Sequence, residues 1–453
     1  MLLNELKMMN LMNNAYKVGM ISLGCPKNQV DGEMLLSKLK NAGYEIVNKI
    51  EQADVMIVNT CGFIEQAKQE AIDTILEVAE YKEAGIISAI VVTGCLAERY
   101  QDEIIKEMPE VDAVVGIGAN ADIVKICDKA LCGVISSFFP NKCYLPLEGE
   151  RLLSTPPHWA YLKIAEGCDN KCSYCAIPGI RGGFRSRTIE SIVEEAKTLS
   201  DRGVKEIILV AQDTTKYGQD IYGEYSLDKL LLELVKIDSI KWIRLFYCYA
   251  HRITDSLIDV IAGNEKICKY IDIPLQHADN DVLKAMNRVG TCEEYRNVIE
   301  KMRTKIPDLS LRTTFMVGFP GETDEQFEHL CEFVKQMKFD KMGCFTFSPE
   351  EDTPAFDMEN QIDEEVKNRR QEILMTSQLF ITEKVNKNRV GKRYDVVVDG
   401  FDGENYFGRS YLDAPEIDSA ILFSSEKPLN TGDFTTVMIT DFDGYDLIGE
   451  VVE

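Results

Sequence analysis

The sequence predicts an α/β protein in three sections. These are an open parallel sheet with helices on both faces, an incomplete (β/α) barrel of six strands, and a small antiparallel β-barrel. Three observations carry this prediction. Short apolar runs alternate with amphipathic helical stretches from Lys17 to Lys387, the pattern of right-handed βαβ units. A proline-rich stretch without periodicity divides that alternation. Beyond residue 387 the helical patterns give way to short β-like runs punctuated by Gly, Asp, Asn and Pro.

In the first section, residues 17–139, the strands are VGMISLG, DVMIVNT, AIVVTG and AVVGI, and the helices follow at 28–42, 65–83 and 97–107. Residues 140–157, PNKCYLPLEGERLLSTPP, hold four prolines and form a linker. In the second section, residues 158–387, the strands are WAYLKIAEG, KEIILVA, KWIRLFY, ICKYIDI, LSLRTTFMVG and KMGCFTFS. Helices are expected at 188–202, 226–236, 291–305 and 323–338, and a long polar helix over about 363–388 closes the section. Barrels of this kind place their chemistry at the C-terminal strand ends. The third section, residues 388–453, reads RYDVVVDGF, NYFGRSYL, AILFSS, FTTVMITDF and LIGEVVE, which fits a five-stranded OB-like barrel.

Composition narrows the function classes. Length is that of about two to four domains, and 45 % hydrophobic with 28 % charged residues excludes a mostly disordered chain. A net charge of −25 excludes a general nucleic-acid binder, leaves room for one local patch, and favours basic partners. No apolar run reaches about 18 residues, so no membrane span is expected. The first 16 residues have no apolar export core. Met8, Met9 and Met12 are candidate starts, and the stretch is expected to be a poorly ordered tail. Without an export signal the expected setting is cytoplasmic. The fourteen cysteines are then metal or redox groups rather than a disulfide scaffold.

Cys168, Cys172 and Cys175 form CxxxCxxC in AEGCDNKCSYCAIP, just beyond the first barrel strand. Three thiolates on one loop can hold three irons of a 4Fe–4S cubane and leave the fourth open. A structural zinc site would want four ligands. In the first section Cys25 follows SLG, Cys61 follows DVMIVNT and Cys95 follows AIVVTG, at separations of 36 and 34 residues. Each therefore sits at the C-terminal tip of a parallel strand, where such sheets bind ligands. Three there can hold a second open cluster; the bland alternative is three buried thiols.

The barrel loop resembles the cluster loop of the radical S-adenosylmethionine (SAM) superfamily, with Tyr174 at a position commonly aromatic there. The two trios together resemble the methylthiotransferases, whose order is a three-cysteine domain, a radical SAM barrel and a β-barrel called TRAM. The resemblance covers the chain from Lys17 onward. It implies two 4Fe–4S clusters and SAM as cofactors. The cluster on Cys168, Cys172 and Cys175 would cleave SAM, and the auxiliary cluster on Cys25, Cys61 and Cys95 would carry sulfur. It also implies a flavodoxin- or ferredoxin-type reductant. In the superfamily, strand-end segments such as AQDTTKYG, IPLQHAD and RTTFMVGFPGET touch SAM. Gln212, Gln276 and Arg312 are then candidate contacts, each equally readable as an ordinary barrel-rim residue. In RGGFRSR, Arg185 or Arg187 is a candidate for the SAM carboxylate, and a solvated basic cluster is the alternative. GFPGE also reads as a plain turn. The other eight cysteines and the four histidines show no ligand spacing.

The family divides between tRNA adenosine methylthiotransferases and a branch that modifies the β-carbon of an aspartate in ribosomal protein S-twelve of the small ribosomal subunit. Residues 388–453 carry fourteen acidic and five basic side chains, a net −9. Such a barrel is a weak tRNA clamp and suits a basic ribosomal protein. SLGCPKNQVDGE resembles the ribosomal-protein branch, where the tRNA branch has a GCQMN-like segment. QDTTKYG, SPEEDTPA and GRSYLDAPEID point the same way.

Overall fold

The structure, a computed structural model, describes residues 16–452. The expected tail, with Met8, Met9 and Met12, lies outside the described residues.

The first sheet has six parallel strands. Their spatial order is Glu45–Ile46, Lys17–Ser22, Val55–Thr60, Ala89–Gly94, Ala113–Val115 and Ser136–Phe138. Val55–Thr60 and Ala89–Gly94 are buried along their whole length, as a sheet covered on both faces demands. Val58, Ile75, Val78 and Leu96 pack on one side, and Val18, Leu35, Ile57 and Ile126 on the other. The chain runs outward from Lys17–Ser22 to Glu45–Ile46, then returns to the opposite side for Val55–Thr60. The strand order therefore reverses between the strands that precede Cys25 and Cys61, and such a switch point opens a crevice. The two edge strands go beyond the four expected from sequence. The helix expected at 97–107 is two, Cys95–Tyr100 and Asp102–Glu107, broken at Gln101, whose φ is +47°.

The second sheet is the open six-stranded barrel. Trp159–Lys163, Glu206–Val210, Trp242–Leu245, Ile267–Gln276, Ser310–Val317 and Lys341–Thr346 pair in chain order, all parallel. Capping boxes at Thr291/Glu294 and Thr323/Gln326 start two of its helices. The Glu364–Lys387 helix lies along the last strand. Outward-facing Leu162, Leu209, Leu245 and Phe315 form one core with the helices. Among the described residues no helix is long and apolar enough to cross a membrane.

The third section is a closed barrel of Arg393–Phe401, Tyr406–Arg409, Ile421–Ser424, Asp446–Val451 and Phe434–Asp443. Its pairings are antiparallel except Ile421–Ser424 with Asp446–Val451, which is parallel. Its loop at 410–418 enters the larger barrel at the strand starts. Ala414 packs among the inward-facing Tyr161, Ile208 and Tyr270. Asp413 pairs with Lys341 at 2.7 Å, Asp418 accepts from Tyr270 at 2.7 Å, and Glu416 accepts from Tyr161 at 2.9 Å. The two aspartates of DAPEID, Asp413 and Asp418, are therefore spent inside the molecule, while Glu416 stays exposed. The two aspartates neither repel RNA nor attract a basic protein, which corrects that part of the charge reading.

Candidate active site

Tight backbone approach brings the three N-terminal loops together. Gly24 has φ +91°, and a Cβ there would lie 2.7 Å from the Cβ and 2.9 Å from the Sγ of Cys61. A Cβ on Gly62 would lie 2.7 Å from the Cα of Leu96 and 3.1 Å from the carbonyl carbon of Cys95. Only glycine allows such contacts. Two asparagines staple the strand tips. Asn28 donates to the carbonyls of Leu23 (2.8 Å), Asn59 and Thr60 (both 3.3 Å), and Asn59 donates to the Asn28 carbonyl (2.9 Å) and the Ser22 hydroxyl (3.0 Å).

Burial and the neighbouring Cys95 and Cys25 push the Cys61 thiol up to about 12. Burial also raises Cys95. Burial would raise Cys25 too, but Lys27 and Arg181 hold it below the ordinary thiol value. Buried thiols this close resist joint ionisation, and a cationic metal group supplies the missing charge. Three buried thiols from three loops are the donor set of a cubane that leaves one iron open, and the trio fits such a group.

Cys168, Cys172 and Cys175 follow the first barrel strand on a loop held from both sides. The Cys168 amide donates to the Gly182 carbonyl (3.0 Å), the Ser173 amide to Met286 (3.0 Å), and Asn287 to the Lys171 carbonyl (2.6 Å). Burial, with the neighbouring Cys172, pushes Cys175 up to about 12 and Cys168 to about 11. Arg288 is buried, faces the Cys172 sulfur at 4.0 Å, and stacks on Tyr249 at 4.4 Å.

The two trios meet. Cys95 shares one buried cluster with Ala176 and Ile180, and Ala176 is the residue after Cys175. The Ile177–Arg181 helix follows Cys175 and packs on the Cys95–Tyr100 helix. Arg181, at its end, donates to Asp31 (2.8 Å), Glu166 (2.9 Å) and Asn28 (3.2 Å), and sits against the Cys95 thiol. Lys163 bonds Asp31 and Glu166 as well. Two further clasps join the sections. Arg151 binds Glu33 and Glu195, each at 2.6 Å. Glu350 of SPEEDTPA accepts from Arg99 (2.7 Å) and Lys68 (3.2 Å), and Arg99 also holds the Gly62 carbonyl beside Cys61.

The other residues singled out from sequence fall as follows. Tyr174 is buried with Cys172, Met286, Phe319 and Phe347. Gln212 donates to Glu166 at 2.7 Å, and its own oxygen is buried without a partner. Gln276 ends its strand at φ +72°, where the register shifts. Arg312 pairs with Asp272 at 3.1 Å and with Asp418 of the inserted loop at 3.4 Å. Arg185 and Arg187 do not face the site. Arg187 is buried on Glu195 (2.5 Å) and Ser191, and Arg185 bonds the Cys143 carbonyl at 2.6 Å. The Ile189–Asp201 helix claims Arg187 and the linker claims Arg185, and Arg181, at the head of the same run, is the one at the cleft. Glu322 closes the GFPGE turn by accepting the amides of Gly318 and Phe319. Asn28, Arg181 and Arg288 were not expected from sequence, because each acts on elements far away in the chain.

Known proteins share these features. Residues 17–116 match the family described as Uncharacterized protein family UPF0004, residues 162–334 the Radical SAM superfamily, and residues 390–452 the TRAM domain. The chain is 51 % identical over 441 residues, 96 % of this chain and 99 % of the relative, to ribosomal protein uS12 methylthiotransferase RimO of Desulforamulus reducens. It is 49 % identical over 446 residues, 96 % and 98 % of the two chains, to the protein of the same name from Acetivibrio thermocellus. Among solved structures, the radical SAM methyltransferase TsrM from Kitasatospora setae, with cobalamin and a 4Fe–4S cluster bound, aligns at a TM-score of 0.56. It has 14 % identity, over 76 % of this chain and 77 % of that one, a likeness of fold alone.

Proposed function

The chain belongs to the RimO family of ribosomal protein uS12 methylthiotransferases, and from this premise we propose that it replaces a β-carbon hydrogen of one aspartate of uS12 (S-twelve) with a methylthio group. It is a radical SAM enzyme, a transferase of sulfur-containing groups, with two 4Fe–4S clusters and SAM as cofactors. Cys168, Cys172 and Cys175 hold the SAM-binding cluster, and Cys25, Cys61 and Cys95 the auxiliary one. Together these groups supply the radical chemistry that opens an unactivated C–H bond and the sulfur and methyl that replace the hydrogen.

The observation that supports this reading is the single buried cluster of Cys95 with Ala176 and Ile180, which joins the loop of one trio to the helix that follows the other. The chain's own residues do the rest. The Ile177–Arg181 helix joins the loop of one trio to Cys95 of the other. Asn28 and Asn59 hold the auxiliary strand tips in register, and the clasps at Glu33, Asp31 and Glu350 keep the walls closed. A fixed, water-poor gap suits a reactive intermediate that must meet its sulfur before anything else. Gln212, Gln276 and Tyr174 line the SAM side in this reading. Arg312, tied to Asp272 and Asp418, acts from beneath it.

The reductant is a flavodoxin- or ferredoxin-type protein and the setting is the cytoplasm. Without Asp413 and Asp418, residues 388–453 still hold twelve acidic against five basic side chains, which disfavours direct tRNA binding. The division between ribosomal protein and tRNA is tested by mass spectrometry of uS12 and of total tRNA from a strain lacking this gene. Unmodified uS12 with normal tRNA is expected; normal uS12 with tRNA lacking its methylthio group overturns the reading. Cys→Ala at 168, 172 or 175 abolishes SAM cleavage. The same change at 25, 61 or 95 spares cleavage and stops product formation. Product from the second set contradicts the two-cluster assignment.

A further inference from the structure

Lys27 lies two residues beyond Cys25, in the first turn of the Pro26–Asn41 helix, and is only 8 % exposed. Its Nζ sits 3.7 Å from the centroid of the Tyr247 ring. Tyr247 lies just past the Trp242–Leu245 strand tip at φ +59°, and its amide is bound to the Asp272 carboxylate at 3.0 Å. The ammonium therefore spans the cleft from the auxiliary wall to the barrel wall.

No carboxylate pairs with Lys27 among the described residues. Glu166, the acid in electrostatic reach, spends both oxygens on Lys163, Arg181, Gln212 and the Gly167 amide. Arg181 is saturated by Asp31, Glu166 and Asn28. Lys27 on the auxiliary wall, like Arg288 beside Cys172, thus has no carboxylate partner among the described residues, and its nearest neighbours are the Tyr247 ring and the Cys25 sulfur. A buried ammonium with no carboxylate partner keeps hydrogen-bonding capacity for an anionic ligand entering the cleft. The π-face of Tyr247 stabilises the cation meanwhile and donates nothing that would block an incoming oxygen.

We propose that Lys27 binds the side-chain carboxylate of the target aspartate and so presents the adjacent β-carbon between the two cysteine trios. The proposal rests on the aspartate reading above and names the residue that recognises that side chain. The carboxylate of SAM is a second source of the same chemistry. Lys27 stands on the wall opposite the trio assigned to SAM, which favours the substrate.

The test uses the holoenzyme, with iron and sulfide content checked for every variant. Two peptides spanning the target segment of uS12 are compared, one with the aspartate and one with asparagine in its place. Binding is measured anaerobically by fluorescence anisotropy, and SAM binding by equilibrium dialysis. The wild-type enzyme is expected to bind the aspartate peptide roughly ten- to a hundredfold more tightly than the asparagine peptide, as for a charge-assisted contact. Lys27→Met erases that difference, and Lys27→Arg keeps most of it. Equal binding of both peptides by the wild type overturns the proposal, even if Lys27→Met fails to load its clusters. So does a Lys27→Met enzyme that still discriminates, whether or not it has lost SAM affinity. Turnover of the aspartate peptide by the wild type is run in parallel. Its failure would strike the proposed function, whereas turnover without discrimination strikes this inference alone.

Discussion

Arg181 shows how much one buried side chain can organise. Its guanidinium and the Lys163 ammonium face the carboxylates of Asp31 and Glu166, a quartet with equal numbers of each sign. Asp31 comes from the first section, and Lys163, Glu166 and Arg181 from the second. Removing one partner of such a group leaves a charge uncompensated, which costs about 3–5 kcal/mol. Arg181→Met is therefore expected to lower unfolding stability by that order in anaerobic denaturant titrations, with a parallel loss of auxiliary-cluster iron. A change below about 1 kcal/mol would show the quartet to be solvent-screened after all. The residue was not legible beforehand. RGGFRSR presents three arginines, and nothing in their spacing tells which one turns inward. The cysteines were legible because three of them recur at the same place in successive βα units. Asn28 and Arg288 recur nowhere.

Among elements, the loop at 410–418 has the clearest mechanical role. It fills the starts of the barrel strands, the face that serves stability rather than chemistry in such barrels. Glu206 lies at its root, bound by Arg244 (2.8 Å) and by Arg409 of the third section (2.7 Å). Burial alone would raise the Glu206 pKa, but Arg409 and Arg244 hold it below the ordinary carboxylate value. A depressed folded pKa contributes stability above the unfolded value of about 4.3. That contribution is lost as pH falls through the folded value. The contact between Trp242 and Phe434, with ring centroids 4.9 Å apart, reports on the same junction. Its tryptophan fluorescence is expected to hold from neutral pH to about 5 and to change below about 4. Glu206→Gln should flatten that acid limb; an unchanged limb would place the titrating group elsewhere.

The long strands and helices of all three sections could be read from period and punctuation alone. The misses share a cause. Glu45–Ile46 and Ser136–Phe138 are too short to show a period, and the Asp255–Gly263 helix is almost continuously apolar on its buried side. The parallel pairing in the terminal barrel and the insertion of its loop are tertiary choices. DAPEID read as surface charge because its partners, Lys341, Arg312 and the two tyrosines, lie a hundred or more residues away or in another section.

For the whole molecule, the sections work as one body built around a gap. The first section supplies one wall, the barrel the other, and the third braces the barrel from below. Two cavities of about 380 and 570 Å³ lie at the junction of the barrel with the third section, lined by Tyr394 and Tyr411. Neither is lined by any of the six cluster cysteines, and both belong to that brace. The net charge of −25 acts on encounter rather than on the gap itself, speeding the approach of a basic ribosomal protein. Raising salt should therefore increase the KM for intact uS12 more than for a short neutral peptide around the target aspartate. Equal sensitivity would deny the acidic surface any part in substrate capture.

The account depends first on both trios holding clusters at once, and counting metal tests this most directly. After anaerobic reconstitution, iron and acid-labile sulfide should approach about eight each per chain, two cubanes. Triple Cys→Ala variants at 25, 61 and 95, or at 168, 172 and 175, should each fall to about four. A wild-type chain that saturates near four, or a triple variant that still reaches eight, would contradict it.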